Sequence, residues 1–301
     1  MVLEHSHLKE NKTIEISGSK SISNRLLILH QLFDNILIQN LSNSQDTQLL
    51  QAALQSDSDI IDIHHAGTAM RFLTSYYAIQ EGKTVVLTGS ERMKQRPIKF
   101  LVDALRDLGA EISYLENEGF PPLKISGKKI LKSTVRIPAN ISSQFITSLM
   151  LIGAKLENGL QIKLEGTVTS KPYLEMTLKI LRTVGINNHW EGNVIKIQPN
   201  IHTEKHSQSI PFVVESDWSS ASYYYSLAAI SRKTINLKWF KQFSLQGDSR
   251  IKEIYWKFFG VNTISEGAES RISLLPEHYF QFPEKIVLNM NDCPDIAQTL
   301  C

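Results

Sequence analysis

Thr13-Ile14-Glu15-Ile16-Ser17 runs directly into Gly18-Ser19-Lys20-Ser21-Ile22-Ser23-Asn24-Arg25, and that into Leu26-Leu27-Ile28-Leu29. The first segment alternates apolar and polar residues, as a half-buried strand does. The last is an apolar helical run, and the middle is a small polar turn. Strand-to-helix turns gather free backbone N–H groups and the positive end of a helix dipole at one point. Lys20, Ser21 and Arg25 add side-chain donors there, so the turn reads as a pocket for an anionic group such as phosphate. The bland alternative is a Ser-capped helix with exposed basic residues. No Gly-x4-Gly-Lys-Ser/Thr frame is present, so this is not a P-loop.

Working outward, the chain has 301 residues, 42% hydrophobic and 21% charged. That is the composition of a globular protein with length for about two domains. The 32 Lys and Arg against 30 Asp and Glu leave a net charge of +2. So even a balance excludes a nucleic-acid binder that works through its overall field, and any anion site must come from local clustering. No apolar run reaches membrane-spanning length. The first seven residues hold no signal-peptide core, and a cytoplasmic protein is expected. Cys293 and Cys301 match no metal spacing.

Strands and helices alternate along the chain. Residues 34–41, 59–63 and 84–88 read as strands, and 45–55 and 68–80 as helices, the last with a buried stripe of Met70, Leu73 and Tyr77. Residues 97–108 read as a helix opened by Pro97 and closed by Gly109. Residues 110–115 and 123–126 form a hairpin. So do Ile186–Trp190 and Val194–Gln198, around the three-residue loop Glu191-Gly192-Asn193. Helical crossovers interrupted by hairpins predict a mixed-sheet α/β (α+β) fold. Its rhythm reads as βαββαβ repeats over roughly 13–63, 84–126 and 133–198. A second region opens near Pro211, with a helix from Ser219, a strand at 234–238 and a helix at 250–258. Asp295-Ile296-Ala297-Gln298-Thr299-Leu300-Cys301 reads as the first turns of a further helix, and the domain as interrupted.

Several further segments repeat the opening theme. Ala66-Gly67-Thr68-Ala69-Met70-Arg71 is a second tight turn into a helix. Arg92-Met93-Lys94-Gln95-Arg96-Pro97 puts three cations just before a helix start, with Arg96 at the dipole. Ser142-Ser143-Gln144, Ser170-Lys171-Pro172-Tyr173 and Asp217-Trp218-Ser219 each open a helix with hydroxyl or carboxylate groups. Such groups usually cap, yet they equally suit a polyhydroxylated or phosphorylated ligand. Asp295 reads as a cap or as a general base kept ionised by a cationic site. No His/Cys/Glu spacing suggests a metal.

In this order, Gly18–Arg25, Ala66–Arg71, Arg92–Pro97, Ser142–Phe145, Ser170–Tyr173, Asp217–Tyr223, Gln246-Gly247-Asp248 and Pro294–Thr299 closely resemble the 5-enolpyruvylshikimate-3-phosphate synthase family, and they span almost the whole chain. The resemblance implies a two-lobed enolpyruvyl transferase-like fold closing over its substrates. The complete lobe would be 19–214, and 1–18 with 215–301 a second, truncated lobe. It implies transfer of the enolpyruvyl group of phosphoenolpyruvate to the 5-hydroxyl of shikimate 3-phosphate. The methylene carbon is protonated, the hydroxyl oxygen attacks its neighbour, and the tetrahedral intermediate loses a proton and phosphate.

The resemblance also implies roles. Lys20, Ser21, Arg25, Ser142, Ser143, Gln144, Ser170, Tyr173 and Asp295 would bind shikimate 3-phosphate. Lys20, Gly67, Arg96 and Gln144 would bind phosphoenolpyruvate. Asp295, as proton acceptor, and Lys20 would be catalytic. A monomer with no cofactor is implied. His65 departs from the family's usual Asn. Family members continue for about another quarter of their length after the Pro-Asp motif, and that part carries a Lys-Glu-x-Asp-Arg-type stretch with further phosphoenolpyruvate ligands. An incomplete, nearly inactive copy is therefore expected. Two other readings compete with it. UDP-N-acetylglucosamine enolpyruvyl transferase shares fold and donor but has Lys-Asn in place of Lys20-Ser21. A non-catalytic anion-binding module is of a different class.

Overall fold

The computed structural model describes residues 12–200, 209–266 and 270–301. The first seven residues, read above for a signal core, lie outside them. From the N-terminal side come β1 (Thr13–Glu15), α1 (Lys20–Leu32), β2 (Ile36–Gln39) and α2 (Gln45–Leu54). Next are β3 (Ile60–Asp62), α3 (Gly67–Ala78), β4 (Thr84–Thr88), the short α4 (Glu91–Lys94), α5 (Lys99–Leu108), β5 (Glu111–Tyr114) and β6 (Leu123–Ser126). β7 (Thr134–Pro138), α6 (Ser143–Gly153), β8 (Leu160–Glu165), α7 (Lys171–Thr183), β9 (Asn188–Glu191) and β10 (Val194–Ile197) follow the same order. Last are β11 (Ile210–Val213), α8 (Trp218–Ser231), β12 (Ile235–Lys238), α9 (Ile251–Phe259), β13 (Val261–Glu266), β14 (Arg271–Pro276) and a 3-10 turn at Pro294–Thr299.

The chain divides into two units, Lys20–Val213 and Met1–Ser19 with Val214–Cys301. Three of the four sheets share one plan. Their strand orders are β3-β4-β6-β5, β7-β8-β10-β9 and β1-β12-β14-β13. In each, the first two strands are parallel and the rest antiparallel, with Ile61 opposite Leu87, Val135 opposite Ile162 and Ile14 opposite Leu237 in the parallel pairs. The repeating order is thus βαβαββ rather than βαββαβ. Pairing, not sequence rhythm, fixes the frame: β4 meets β3 on one edge and β6 on the other, so crossover and hairpin share a strand.

The fourth sheet holds only β11 and β2 among the described residues, in parallel. α2 leads straight to β3, so this copy has no hairpin. The first strands of two copies are exchanged: β1 pairs with β12 but leads into α1, and β11 pairs with β2 but leads into α8.

Local chemistry explains the departures from the sequence reading. α5 starts at Lys99 with Ile98 in the cap position, and Pro97 stands outside it. Ser90 caps α4, its Oγ accepting the Met93 N–H at 3.3 Å, so residues 91–94 close a turn of their own. The hairpin loop between β9 and β10 is two residues, Gly192-Asn193, because Glu191 pairs with Val194. α3 is buried on all sides rather than along one stripe. It packs on α1, α2, α5, α6, β4 and β6. Its polar groups are answered internally: Ser75 Oγ donates to Ser148 Oγ at 2.9 Å and Tyr77 OH to the Ala53 carbonyl at 2.9 Å.

The unit containing α8 has its own core of Ile16, Trp218, Tyr225, Phe240, Ile251, Tyr255 and Leu274 among others. Trp218 and Phe240 meet edge-on at 4.7 Å between ring centroids. The Tyr255 hydroxyl donates to the Thr299 carbonyl at 2.9 Å and lies 2.7 Å from Ser226 Oγ, which itself reaches Thr299 O at 2.9 Å. Because that second bond survives, Tyr255→Phe is expected to cost only about 1 kcal/mol, read as a lower urea midpoint for this unit with unchanged slope. Among the described residues no helix is long and apolar enough to cross a membrane.

Candidate functional site

Four helix starts in the unit Lys20–Val213 carry the residues singled out by sequence: α1, α3, α6 and α7. None has an acidic residue in its first turn, and neither has α5, whereas α2 carries Asp46 and α4 Glu91 there. Asp and Glu normally favour that position because they complement the dipole. Their absence at these four helix starts leaves the positive ends free for an anion from outside.

Lys20 is the first residue of α1 and is exposed, and Ser21 is half-buried. One turn on, Arg25 is only 3% exposed. Its Nε donates to Thr177 Oγ1 at 2.8 Å and its Nη1 to the Ser21 carbonyl at 2.6 Å. Nη2 reaches Thr147 Oγ1 at 3.5 Å and the Tyr173 carbonyl at 3.4 Å. Its Cζ stands 5.8 Å from the Phe72 ring centroid. Arg25 therefore touches α1, α3, α6 and α7 at once. Burial lowers its pKa from the ordinary arginine range to about 10, with the Tyr173 hydroxyl acting the other way. All the neighbours that hold it are neutral.

At the start of α6, Ser142 is the cap, its side chain accepting the Gln144 N–H at 3.3 Å. Ser143 and Gln144 are half-buried behind it. At α7 the outcome differs: Ser170 sits in a left-handed conformation (φ 53°) and makes no side-chain cap bond, so its hydroxyl does not serve its own helix. The Tyr173 N–H bonds the Ser170 carbonyl at 3.1 Å.

Gly67, Arg96 and Gln144 form a second cluster. The Arg96 guanidinium lies on Gly67 so closely that a Cβ there would overlap Arg96 Nη1 and stand 2.8 Å from its Cζ. Gln144 Nε2 donates to Thr68 Oγ1 at 3.5 Å. The cationic run around Arg96 is not one patch. Arg92 and Lys94 lie within α4, and Lys94 is paired with Glu116 at 2.9 Å and Glu91 at 3.4 Å. Arg96 is exposed, and its side chain makes no hydrogen bond or ion pair among the described residues. It does not immediately precede a helix, since α5 starts three residues later. His65 Nδ1 lies 3.4 Å from Ser90 Oγ.

Asp295 belongs to the other unit. It is exposed in the 3-10 turn, which begins without a side-chain cap bond, and its carbonyl accepts Gln298 Nε2 at 2.6 Å. In the same unit, Asp217 caps α8 through the Ser220 N–H at 2.7 Å. Gln246 is buried and donates to Glu215 Oε2 at 3.2 Å and the Ser216 carbonyl at 2.8 Å. Sequence reasoning gave no role to Thr147 or Thr177, which hold Arg25 in place. Thr68 and Arg71 stood in a turn it singled out but were given no ligand; Thr68 meets Gln144 and Arg71 the Gly67 and Pro97 carbonyls.

These two units, built on the βαβαββ plan, have the fold of solved EPSP synthases. Two Acinetobacter baumannii EPSP synthase structures superpose with TM-scores of 0.67 at 19% identity, each covering 96% of this chain and 68% or 69% of the solved one. Residues 49–301 match the family model for EPSP synthase (3-phosphoshikimate 1-carboxyvinyltransferase), and the chain belongs to that family. A relative from Bacteroides fragilis (strain YCH46), named 3-phosphoshikimate 1-carboxyvinyltransferase, is 44% identical over 291 residues, covering 95% of this chain and 68% of its own length. One of the same name from Haemophilus influenzae (strain PittGG) is 36% identical over 326 residues, covering 96% and 71%.

Proposed function

We propose that this chain transfers the carboxyvinyl group of phosphoenolpyruvate to the 5-hydroxyl of shikimate 3-phosphate, releasing phosphate. Family membership supports the reaction. The observation that carries the site is the meeting of α1, α3, α6 and α7 around Arg25, next to the Gly67–Arg96 contact.

Shikimate 3-phosphate takes Lys20, Ser21, Arg25, Ser142, Ser143, Gln144, Ser170, Tyr173 and Asp295. The Ser170 hydroxyl suits this part because it caps nothing. Phosphoenolpyruvate takes Lys20, Gly67, Arg96 and Gln144. Arg96, exposed and unpaired, is poised to hold an anion, and the start of α3 adds its dipole. Cations fixed in place before reaction stabilise charge as it develops and cost no reorganisation. Protonating the methylene carbon creates an electron-poor centre. The 5-hydroxyl oxygen bonds to it, and the resulting intermediate expels phosphate as the proton is removed. Asp295 accepts a proton in this sequence, and Lys20 stands at the dipole end of α1. The reading is completed by a monomeric, cytoplasmic protein.

Asp295→Ala tests the assignment. Phosphate release is expected to fall by about 10²-fold or more, the usual reach of general acid–base catalysis, with shikimate 3-phosphate affinity kept within about threefold by calorimetry. Loss of binding in step with turnover would leave Asp295 only its binding or folding part and remove its role as proton acceptor. Thermal protection of the parent by shikimate 3-phosphate without turnover would favour the binding-module reading.

A further inference from the structure

Arg71 is 4% exposed, in the middle of a helix whose every residue is buried. Its Nη1 donates to the Gly67 carbonyl at 3.0 Å and approaches Met93 Sδ at 3.6 Å. Its Nη2 donates to the Pro97 carbonyl at 3.3 Å. Its Cζ stands 5.9 Å from the Phe145 ring centroid. Burial, and then the like charge of Arg96, push its pKa down to about 10, with Asp46 acting the other way. No carboxylate forms an ion pair with it among the described residues.

A buried cation of this kind is a cost to folding that a Met or Leu would avoid. What an apolar side chain could not do is join two carbonyls on different elements. Gly67 opens α3, and Pro97 lies in the link between α4 and α5 that carries Arg96. That link is held on one side by the Ile98 N–H to the Gly119 carbonyl at 2.9 Å, and inside by the Arg96 N–H to the Met93 carbonyl at 3.0 Å. Pro97 has no N–H, so its carbonyl is the only backbone group by which it can be tied, and Arg71 ties it.

We propose that Arg71 is a positioning residue for phosphoenolpyruvate. By bonding the carbonyls of Gly67 and Pro97 together, it fixes the distance between the α3 start and the backbone that carries Arg96. This rests on the assignment of Gly67 and Arg96 to phosphoenolpyruvate made above. The planar fork of Arg can span two acceptors at set directions, whereas the single ammonium of Lys cannot reproduce that geometry.

Arg71→Lys keeps the charge and most of the volume and so carries the test, with Arg71→Met beside it. Phosphoenolpyruvate and shikimate 3-phosphate would each be titrated calorimetrically into the parent, both variants, Arg96→Met and the Arg71→Lys/Arg96→Met double variant. Initial-rate KM values would be measured in parallel. Arg71→Lys is expected to weaken phosphoenolpyruvate by about 10- to 100-fold, the scale of a misplaced binding group, and to leave shikimate 3-phosphate within about twofold. The double variant is expected to bind phosphoenolpyruvate no more weakly than Arg96→Met alone, because Arg71 acts through Arg96. Equal loss of both ligands in Arg71→Lys, or additive losses in the double variant, would overturn the proposal. So would normal phosphoenolpyruvate binding in Arg71→Lys while Arg96→Met has lost it. Normal binding in Arg96→Met would instead sink the phosphoenolpyruvate assignment itself.

Discussion

Arg25→Met is expected to abolish useful shikimate 3-phosphate binding while leaving the fold as stable as before, or slightly more so, at pH 7. Arg25 is buried with neutral partners only, and its pKa is lowered to about 10 by that burial. The sign follows from proton uptake. From about pH 10 up to the ordinary arginine range the unfolded chain holds the proton and the folded chain does not, so stability rises with pH across that window. Below it the penalty for burying the charge is present in full. Met fills similar volume and removes the penalty.

Few groups are orphaned by the change. Thr177 Oγ1 still donates to the Tyr173 carbonyl at 2.8 Å and lies 3.4 Å from Thr147 Oγ1. Each hydroxyl thus keeps a partner, and the usual cost of an unmatched buried group is avoided. Binding should respond very differently. A charge-assisted contact is worth about 1.5–3 kcal/mol, or roughly 10- to 150-fold in affinity, and more where a phosphate is held away from water. Calorimetric titration of shikimate 3-phosphate, with a urea midpoint for each protein, checks both halves. A destabilised variant whose binding per folded molecule is intact would make Arg25 a structural pin rather than a ligand.

The strand–turn–helix at Thr13–Leu29 was legible in its order but not in its bounds: α1 begins at Lys20, so Lys20–Arg25, read as part of the turn, are its first residues. The helix starts at Ser142 and Asp217 were open to reading, since their caps are local and both make the bonds expected of them. What sequence could not supply was pairing. The string of elements in 60–126 can be cut into βαββαβ or βαβαββ, and only the meeting of β4 with both β3 and β6 decides. The missing hairpin of the β2–β11 copy and the exchange of first strands are long-range facts of the same kind. Thr147 and Thr177 went unassigned because each acts on a residue distant in sequence: Arg25 bonds Thr177 across 152 positions. The cationic stretch Arg92–Arg96 misled for a local reason. Helical phase and Glu116 consume Lys94, and what remains is Arg96.

The absence of carboxylates from the four helix starts is informative for the same reason. Each start forgoes a few tenths to about 1 kcal/mol that an Asp or Glu would contribute. That stabilisation becomes available only when an anion arrives, so it appears as binding free energy rather than fold stability. A chain arranged this way should respond to its anionic substrates with a larger rise in melting temperature than their contacts alone would give.

Gly67→Ala should separate the two substrates more sharply than any other single change. Gly67 is the first residue of α3, in a conformation open to Ala, and Ala favours a helix over Gly by up to about 1 kcal/mol. Stability is therefore expected to hold or rise. The added methyl, however, occupies the space of the Arg96 guanidinium. That group is the far end of an exposed, flexible side chain, so Arg96 moves and the backbone does not. The cost falls on what Arg96 was placed to do. Phosphoenolpyruvate affinity should drop by about 10- to 100-fold, the equivalent of one charge-assisted contact. The three atoms nearest the new methyl all belong to Arg96, so shikimate 3-phosphate should bind as in the parent. Removing the Arg96 guanidinium first should erase the effect: Gly67→Ala placed on Arg96→Met is expected to add little. A further large loss in that double variant would mean that the methyl blocks phosphoenolpyruvate directly, and that the close approach of the α3 backbone, rather than the position of Arg96, is the reason for a glycine here.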